Sequence, residues 1–264
     1  MISHIQDFRD KLARQQRCLG PGITFSDPSV TEALADSVDF VWIDMEHNPL
    51  GFESVLAHLI AARAGGAPAL VRVPSSDIAW VKRVLDTGAE GVICPQVQSA
   101  DEARQFLSAC RYPPQGTRGF GPRRPSNYGR LGGDAYLERA NREVFAVIQI
   151  EHRQAVEQLD EILALPGLDS IVVGPNDLSG SLGKLGQLAD PEIVATIRQV
   201  VDKARQAGVH VGMGMGEDVD YAQQAFEMGV DWVQCGSDFE YLIKFAEQLY
   251  RKIRDGMGEN PASR

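Results

Sequence analysis

Residues 145–177, FAVIQIEHRQAVEQLDEILALPGLDSIVVGPND, contain the pattern that decides the fold. Phe145–Glu151 and Ser170–Gly174 are short runs rich in Val and Ile with little polar alternation. Such runs are typical of parallel strands that are covered on both faces. A helical pattern lies between them, so this stretch predicts a strand–helix–strand unit of the α/β class.

The same unit recurs along the rest of the chain. Six further runs of this kind are Gly22–Phe25, Phe40–Met45, Ala69–Val73, Gly91–Val97, Val209–Met213 and Asp231–Gly236. Three helix–glycine–strand junctions are variants of one sequence, namely TGAEGV at 87–92, QAGVHV at 206–211 and EMGVDW at 227–232. Eight strand–helix units predict a single (β/α)8 TIM barrel. A six-strand doubly wound sheet is the alternative, and the eighth unit argues against it.

The length of the chain fits one such barrel. A (β/α)8 barrel needs about 250 residues, and the chain has 264. We therefore expect a catalytic domain over residues 1–254 and a flexible C-terminal tail over residues 255–264, which has no apolar anchor beyond Met257. The segment Tyr112–Gly133, YPPQGTRGFGPRRPSNYGRLGG, is a long loop rich in Gly, Pro and Arg. Loops of this length inside a compact domain are commonly functional or disordered.

The composition excludes several classes of protein. The chain carries 36 acidic and 26 basic residues, so its formal net charge of -10 argues against nucleic acid or an anionic membrane surface as a partner. The sequence contains no signal-peptide pattern and no run of 18 apolar residues. The four cysteines lack CxxC or zinc spacing, which favours buried free thiols. We expect a cytoplasmic protein with a small-molecule substrate.

Charged residues follow several predicted strands at the end where barrel enzymes carry their active sites. Glu151 and Asp177 follow neighbouring strands. Two carboxylates with waters and substrate oxygens suit an octahedral divalent ion, Mg²⁺, Mn²⁺ or Co²⁺, although ordinary pairing with Arg or Lys would also explain them. Arg72 offers a planar fork that matches a substrate carboxylate, or a salt bridge in the barrel mouth.

A histidine at the end of the second strand is the candidate base. His47 is the only one of the five histidines that follows a strand and has acids beside it. Neutral imidazole can accept a proton near pH 7. Alternation along the strand puts Asp44 and Glu46 on the same side, so either could orient His47. We therefore include Asp44 with His47 and Arg72 among the catalytic candidates.

These same positions carry a family resemblance. VWIDMEHNP, LVRVP, YPPQGTRG, VIQIE and VGPNDLS resemble stretches of the HpcH/HpaI aldolase family, the metal-dependent class II pyruvate aldolases. The resemblance extends from about Gly20 to Gly236, with the motifs in order on the predicted strands. It implies a (β/α)8 barrel that cleaves 4-hydroxy-2-oxo acids reversibly to pyruvate and an aldehyde. The substrates would be of the 4-hydroxy-2-oxoheptanedioate or 2-dehydro-3-deoxy sugar acid type, as in aromatic-compound catabolism.

The resemblance also implies roles for the residues identified above. Glu151 and Asp177 match the ligands of the divalent metal ion. Arg72 matches the arginine that holds the carboxylate of pyruvate, and His47 matches the general base. Such an ion acts as a Lewis acid, which lowers the cost of forming the pyruvate enolate.

Further residues are implied by the resemblance alone. Gln149 and the backbone of Asn176 match substrate contacts, as does Asp177, and Asp86 matches an acid that raises the basicity of the histidine. Asp86 falls at the end of a helix on the barrel face opposite that histidine, and the loop 112–133 leaves from the same face. Both features predict a homo-oligomer, a trimer or hexamer, with shared sites. An exchanged C-terminal helix is one form that it could take.

Some alternatives remain open at this point. No lysine lies at a strand end, and Lys184 is the nearest candidate for a Schiff base, so a metal route is favoured over an imine route. A related lyase or hydrolase acting on a CoA ester or another 2-oxo acid is the second hypothesis, and a non-enzymatic binding barrel is the third. Arg118, Arg123 and Arg124 indicate an acidic aldehyde, or simply solvate the loop.

Overall fold

The computed structural model describes residues 3–257 and contains a closed barrel of eight parallel strands, paired in the order in which they follow one another along the chain. The strands are β1 (Cys18–Ile23), β2 (Val41–Asp44), β3 (Ala69–Arg72), β4 (Gly91–Cys94), β5 (Phe145–Ile150), β6 (Ser170–Val173), β7 (His210–Met215) and β8 (Trp232–Ser237). β8 pairs with β1 and closes the barrel. The predicted (β/α)8 architecture is confirmed.

Helices surround this barrel. They are α1 (Ile5–Ala13), α2 (Ser29–Ala35), α3 (Phe52–Ala64), α4 (Ile78–Thr87), α5 (Ala100–Ala109), α6 (Gly133–Glu143), α7 (Arg153–Glu157), α8 (Leu159–Leu163), α9 (Pro175–Ser181), α10 (Pro191–Gln206), α11 (Val219–Met228) and α12 (Asp238–Gly256). None of the helices within residues 3–257 has the length and apolar character needed to cross a membrane.

The strand boundaries differ from the predicted ones by one to four residues, and β1 and the end of the domain show the differences that bear on the fold. β1 begins at Cys18, four residues before the predicted Gly22. The prediction missed its first residues because the sequence CLGPGI has few β-branched residues, and the strand is defined by its pairing with β8. The register of that pairing shifts between Gly20 and Gly22, which accommodates Pro21 inside the strand. α12 continues through Gly256, past the predicted domain end at 254. The rest of the predicted tail, residues 258–264, lies outside the described residues.

The interior of the barrel is filled mainly from its N-terminal end. Phe8 of α1 packs against Phe40, Phe145 and Trp232, with ring centroids 5.4, 5.5 and 6.3 Å apart. Trp232 needs a glycine opposite it, because a Cβ on Gly212 would lie 2.2 Å from the indole ring. α1 thus covers the amino ends of the strands, which leaves the carboxyl ends as the open mouth.

A second apolar layer joins the outer face of the barrel to the surrounding helices. All four cysteines are free, as predicted; three are buried, and Cys235 is half-buried. α5 begins with an N-cap, in which Ser99 Oγ accepts from the Glu102 N–H at 3.2 Å. The Glu102 carboxylate accepts from the N–H of Gln98, one residue before the cap, rather than from Ser99 itself.

Candidate active site

A cavity of about 500 Å³ opens at the carboxyl ends of the strands. The predicted site residues that line it are Asp44, His47, Arg72, Gln149, Asn176 and Asp177. Glu151 is only 2% exposed and borders the cavity at Gly174, which lines it. Residues from β2, β3, β5 and the first turn of α9 therefore meet at one rim, because parallel strands present their carboxyl ends together.

Arg72 is held against two carboxylates, one at the end of the neighbouring strand β2 and one two residues after it. Its Nε and Nη2 lie 2.9 and 2.8 Å from the two oxygens of Asp44, and its Nη1 lies 3.2 Å from Glu46 Oε2. Its guanidinium carbon also lies 5.1 Å from the ring centroid of Trp42. A guanidinium has five N–H groups, so these three contacts leave donors for a substrate carboxylate. Both interpretations of Arg72, internal salt bridge and carboxylate ligand, are compatible with this geometry.

Asp44 positions the residues around it. It is 6% exposed, and besides Arg72 it accepts hydrogen bonds from the Glu46 N–H at 3.0 Å and from Asn48 Nδ2 at 2.8 Å. These contacts fold the chain after β2 into a turn that carries His47. The site therefore includes Asn48, which no sequence pattern selects beyond its place in the EHNP stretch.

His47 and Asp86 do not meet within one chain. The His47 side chain is 59% exposed, and its Nε2 lies 3.7 Å from Glu46 Oε2. Asp86 lies near the end of α4, just before the amino end of β4, and its carboxylate accepts from Arg118 Nη2 at 2.7 Å. The structure thus places Asp86 at the far end of the barrel from His47, on the face that the sequence predicts.

Glu151 is a buried carboxylate whose neighbours are neutral or acidic. Its Oε1 accepts from the Gln96 N–H at 2.6 Å, and its Oε2 accepts from the side-chain amide of Gln149. Burial raises the pKa of Glu151 to about 7, and the charges of Glu46 and Asp177 add to this rise while the hydrogen bonds oppose it. A carboxylate in such surroundings is stabilised by a cation.

The donor set around Glu151 fits a divalent cation. Within residues 3–257 no group of three or more His, Cys, Asp or Glu side chains suits a metal ion. The two carboxylates that the sequence predicts as ligands are the buried Glu151 and the exposed Asp177. Such a set leaves coordination positions for water and substrate oxygens, as Mg²⁺ prefers. Gly174 keeps the space beside Glu151 open, since a Cβ there would lie 2.7 Å from Oε2.

The sequence did not reveal Gln96, whose contribution is a backbone N–H group. Gln96 has a φ of 58°, in the left-handed region that non-glycine residues seldom adopt. This conformation accompanies its hydrogen bond to Glu151, and its side-chain amide also lies 3.5 Å from Glu46 Oε1. No side-chain pattern marks a residue that acts through its main chain, so sequence alone had no means of finding it.

A buried aspartate fixes another edge of the mouth. Asp238, which is 3% exposed, accepts from the N–H groups of Thr24 and Phe25 at 2.9 and 3.0 Å and from the Thr24 hydroxyl at 2.5 Å. Because Asp238 begins α12, it joins the loop after β1 to the start of the last helix. Thr24 lines the cavity, so this contact shapes its wall.

The chain is similar to several known proteins over most of its length. The sequence profile described as HpcH/HpaI aldolase/citrate lyase matches residues 24–244. A 2-dehydro-3,6-dideoxy-6-sulfogluconate aldolase of Pseudomonas putida is 36% identical over 90% of this chain and 93% of its own length. A 4-hydroxy-2-oxo-heptane-1,7-dioate aldolase of Shigella sonnei is 34% identical over 92% of each chain.

A solved structure agrees with these relatives. The crystal structure of an HpcH/HpaI aldolase/citrate lyase family protein from Burkholderia cenocepacia J2315 superposes with a TM-score of 0.88 at 32% identity. It covers 94% of this chain and 99% of that one. The closed barrel, the carboxylates at its mouth and the extent of these matches lead to one conclusion: the chain belongs to the HpcH/HpaI aldolase/citrate lyase family and is an aldolase, a carbon–carbon lyase.

Proposed function

We propose that the protein catalyses the reversible, metal-dependent cleavage of 4-hydroxy-2-oxo acids to pyruvate and an aldehyde. The observation that carries this proposal is the meeting of Arg72, His47, Asp177 and the buried Glu151 around one cavity. An anion-binding fork, a base and two hard oxygen donors are the groups that enolate chemistry on a 2-oxo acid requires. Relatives named as aldolases for different 2-oxo acids support the reaction type.

Each of these groups has a distinct task. Arg72 binds the carboxylate of pyruvate with the N–H groups that do not contact Asp44 or Glu46. Gln149, which also lines the cavity, contacts the substrate. In the direction of addition, His47 removes a proton from the methyl group, and the alkoxide formed from the aldehyde takes up a proton from solvent. In cleavage the C4 hydroxyl releases its proton to solvent, and His47 returns a proton to the enolate carbon, which restores the methyl group of pyruvate. A divalent cation at Glu151 and Asp177 would polarise the keto group and lower the energy of the enolate. Asp44 acts through Arg72 and is a positioning residue.

A Schiff-base route finds no support in the placement of Lys184. The ammonium of Lys184 lies 2.7 Å from Asp190 and 2.7 Å from Glu192, and these hydrogen bonds raise its pKa. An imine requires a neutral amine, which this arrangement disfavours. Borohydride with pyruvate should therefore leave the protein active, whereas EDTA should abolish activity. Irreversible inactivation by borohydride together with resistance to EDTA would contradict the metal route.

Exchange of the methyl protons of pyruvate into D₂O tests the proposed half-reaction without any aldehyde. We expect exchange, followed by mass spectrometry, in the presence of Mg²⁺, Mn²⁺ or Co²⁺, and loss of at least about 100-fold in the His47→Ala variant. His4→Ala is the matched control, because His4 lies at the opposite end of the barrel, before α1. Absence of exchange with every divalent ion would refute the proposal. It would favour the second hypothesis, a related lyase or hydrolase that acts on a CoA ester.

We also propose that the protein forms a homo-oligomer, a trimer or hexamer, in which the C-terminal helix is exchanged between subunits. α12 buries only Asp238, and its large apolar side chains remain exposed, Phe245 to 70% and Leu242 to 65%. Leu19 is 46% exposed and is the one exposed residue in the eight described strands, so the flank of β1 lacks a cover. The apolar side chains of α12 from a second copy would cover this exposed flank of β1.

The long loop is a second candidate contact between subunits. Arg118 and Arg124 are buried and tie the loop to Asp86 and to the Thr87 carbonyl, at 2.7 and 3.1 Å. Anchored in this way, the loop exposes its tip, including Arg123. We propose that this tip and Asp86 complete the site of a neighbouring subunit. We place the assembly in the cytoplasm, where free thiols persist.

A further inference from the structure

A tryptophan forms the floor of the cavity, at the point where the apolar interior of the barrel ends. Trp42 lines the cavity and is 4% exposed. It belongs to the cluster of buried apolar side chains that fills the barrel, and among the described members of that cluster it alone lines the cavity. Its ring centroid lies 6.1 Å from that of Trp232, at the amino end of β8. The proposed function assigns this indole ring no task.

The indole of Trp42 lies between strands on opposite sides of the barrel. Alternation along β2 directs Trp42 into the barrel on the same side as Asp44. The guanidinium of Arg72, from β3, lies over the ring, and the ring carbon Cη2 is 3.8 Å from the position that a Cβ on Gly214 of β7 would take. β3 and β7 are four strands apart in a closed barrel of eight, so the ring spans the floor.

Two kinds of contact confine the guanidinium of Arg72. Asp44 and Glu46 contact its nitrogens and restrain its edges. Its central carbon lies 5.1 Å from the ring centroid of Trp42, within the distance of about 6 Å over which an aromatic face attracts a cation. This attraction is strongest where water is excluded, and the Arg72 side chain is only 12% exposed.

We infer that Trp42 is a positioning residue for Arg72, and that its ring holds the guanidinium where the remaining N–H groups meet the carboxylate of pyruvate. This inference rests on the proposed function and deepens it. The ring also keeps water from beneath the guanidinium, because the barrel interior below it is filled with apolar side chains. Loss of the ring should therefore weaken carboxylate binding more than it slows proton removal by His47, which is carried by the turn after β2.

Exchange of pyruvate protons, measured over a range of pyruvate concentrations, tests the inference. We expect Trp42→Leu to raise the KM for pyruvate about 10-fold and to change kcat less than about threefold, because the interaction acts on binding of the carboxylate throughout the reaction. Trp42→Phe keeps an aromatic face and should hold KM within about threefold of the wild type.

Leu70→Val is the matched control for a purely structural effect. Leu70 lies beside Trp42 in the register of β2 and β3, is fully buried and does not line the cavity. Its truncation loosens the same apolar interior, so it should lower the free energy of unfolding in a denaturant titration and keep the KM of the wild type. Equal increases of KM in Leu70→Val and Trp42→Leu would assign Trp42 to packing alone and overturn the inference.

Fluorescence gives a second readout that does not depend on folding of the leucine variant. Of the three tryptophans, Trp80 stacks on Phe52 and Trp232 is fully buried, so neither lines the cavity. Oxamate, an unreactive analogue of pyruvate with the same carboxylate, should change the emission of the Trp80→Phe variant in the presence of Mg²⁺. The change should disappear when Trp42→Phe is added. Oxamate that binds in calorimetry without altering the emission, or a change that persists in the double variant, would contradict the inference.

Failure of this inference is distinguishable from failure of the proposed function. A wild type that neither exchanges pyruvate protons nor binds oxamate refutes the proposed function. Exchange with a KM that Trp42→Leu leaves unchanged, or a variant in which only kcat falls, refutes the role of Trp42 alone.

Discussion

Arg72 has a structural role that the contacts of its guanidinium group show directly. A charged side chain at a barrel mouth is costly unless it is paired, and Asp44 supplies two contacts below 3 Å. The pairing fixes the guanidinium plane before any substrate arrives, which reduces the entropy lost on binding. The prediction that Arg72 forms a salt bridge is confirmed, and its role towards a carboxylate stays a prediction.

A Gly174→Ala variant, which adds a single methyl group, tests the proposed metal site. Alanine there would place Cβ 2.7 Å from Glu151 Oε2 and 3.0 Å from Gln149 Nε2, and both side chains are buried. We expect the Gly174→Ala variant to bind Mn²⁺ at least about 10-fold more weakly in a calorimetric titration, because the displaced carboxylate loses its orientation.

A nearby glycine gives the control for that experiment. Alanine at Gly180, in the same helix region, would meet only the end of the Leu185 side chain, at 3.2 Å, and this group can move. Gly180→Ala should therefore keep the affinity of the wild type for Mn²⁺. Equal affinities for both variants would mean that Glu151 does not contribute to a cation site.

At the level of elements, α2 and α3 are joined by a buried histidine. His58 is fully buried, and its Nδ1 lies 2.8 Å from the hydroxyl of Thr31. Burial lowers the pKa of His58, since it disfavours the charged imidazolium. The unfolded chain therefore takes up this proton at a higher pH than the folded protein does, and stability present above about pH 6.5 is lost as the pH falls below it.

Denaturant titrations between pH 7 and pH 5 check this expectation. The free energy of unfolding should fall over this interval in the wild type, and the fall should be shallower in His58→Gln, which cannot take up the proton. His4→Gln serves as the control, since His4 is not buried within the core. A slope that His58→Gln does not alter would show that this histidine does not govern the acid stability.

Sequence patterns located most strands, because a strand that is buried on both faces is a nearly continuous run of apolar residues. Phe145–Ile150 is buried at every position and is apolar apart from Gln149, so the sequence displays this strand directly. β1 was harder to locate from the sequence. Its glycines and its proline have low strand propensity, and its pairing with neighbouring strands defines it instead. α1 was not predicted, although Ile5, Phe8 and Leu12 have helical spacing; that pattern marks the face that plugs the barrel.

At the scale of the whole molecule, the exposed face of α12 tests the proposed assembly. A glutamate at Leu242 or Ile253, which are 65% and 50% exposed, would put a charge into a buried apolar interface if the helix packs on a second copy. We expect Leu242→Glu with Ile253→Glu to lower the mass measured by light scattering to that of smaller species. Gln248→Glu adds a carboxylate to the polar side of the same helix and should leave the mass unchanged.

Two outcomes would contradict the proposed assembly. If the double variant keeps the mass of the wild type, α12 does not mediate assembly. If the wild type is itself a monomer, then Asp86 and the loop tip act in no neighbouring site, and the homo-oligomer proposal fails. Loss of pyruvate proton exchange on dissociation would support sites that are shared between subunits.

The sequence by itself determined the barrel, the family and the residues that lie at the barrel mouth. Each of these depends on local information: apolar runs, helical spacing, and charged residues that directly follow a strand. Parallel strands put those residues on one rim whatever the details of packing, so Asp44, Arg72 and Asp177 could be placed together from the chain alone.

Only the tertiary structure decided how these groups are held. The N–H of Gln96 reaches Glu151 from 55 positions away, and Asp238 joins the loop at Thr24 across 214 positions. Such contacts depend on strand register and barrel closure, which bring distant segments within hydrogen-bonding distance, and side-chain type does not encode them. For the same reason the first turn of α12 lies beside the cavity only because β8 closes against β1.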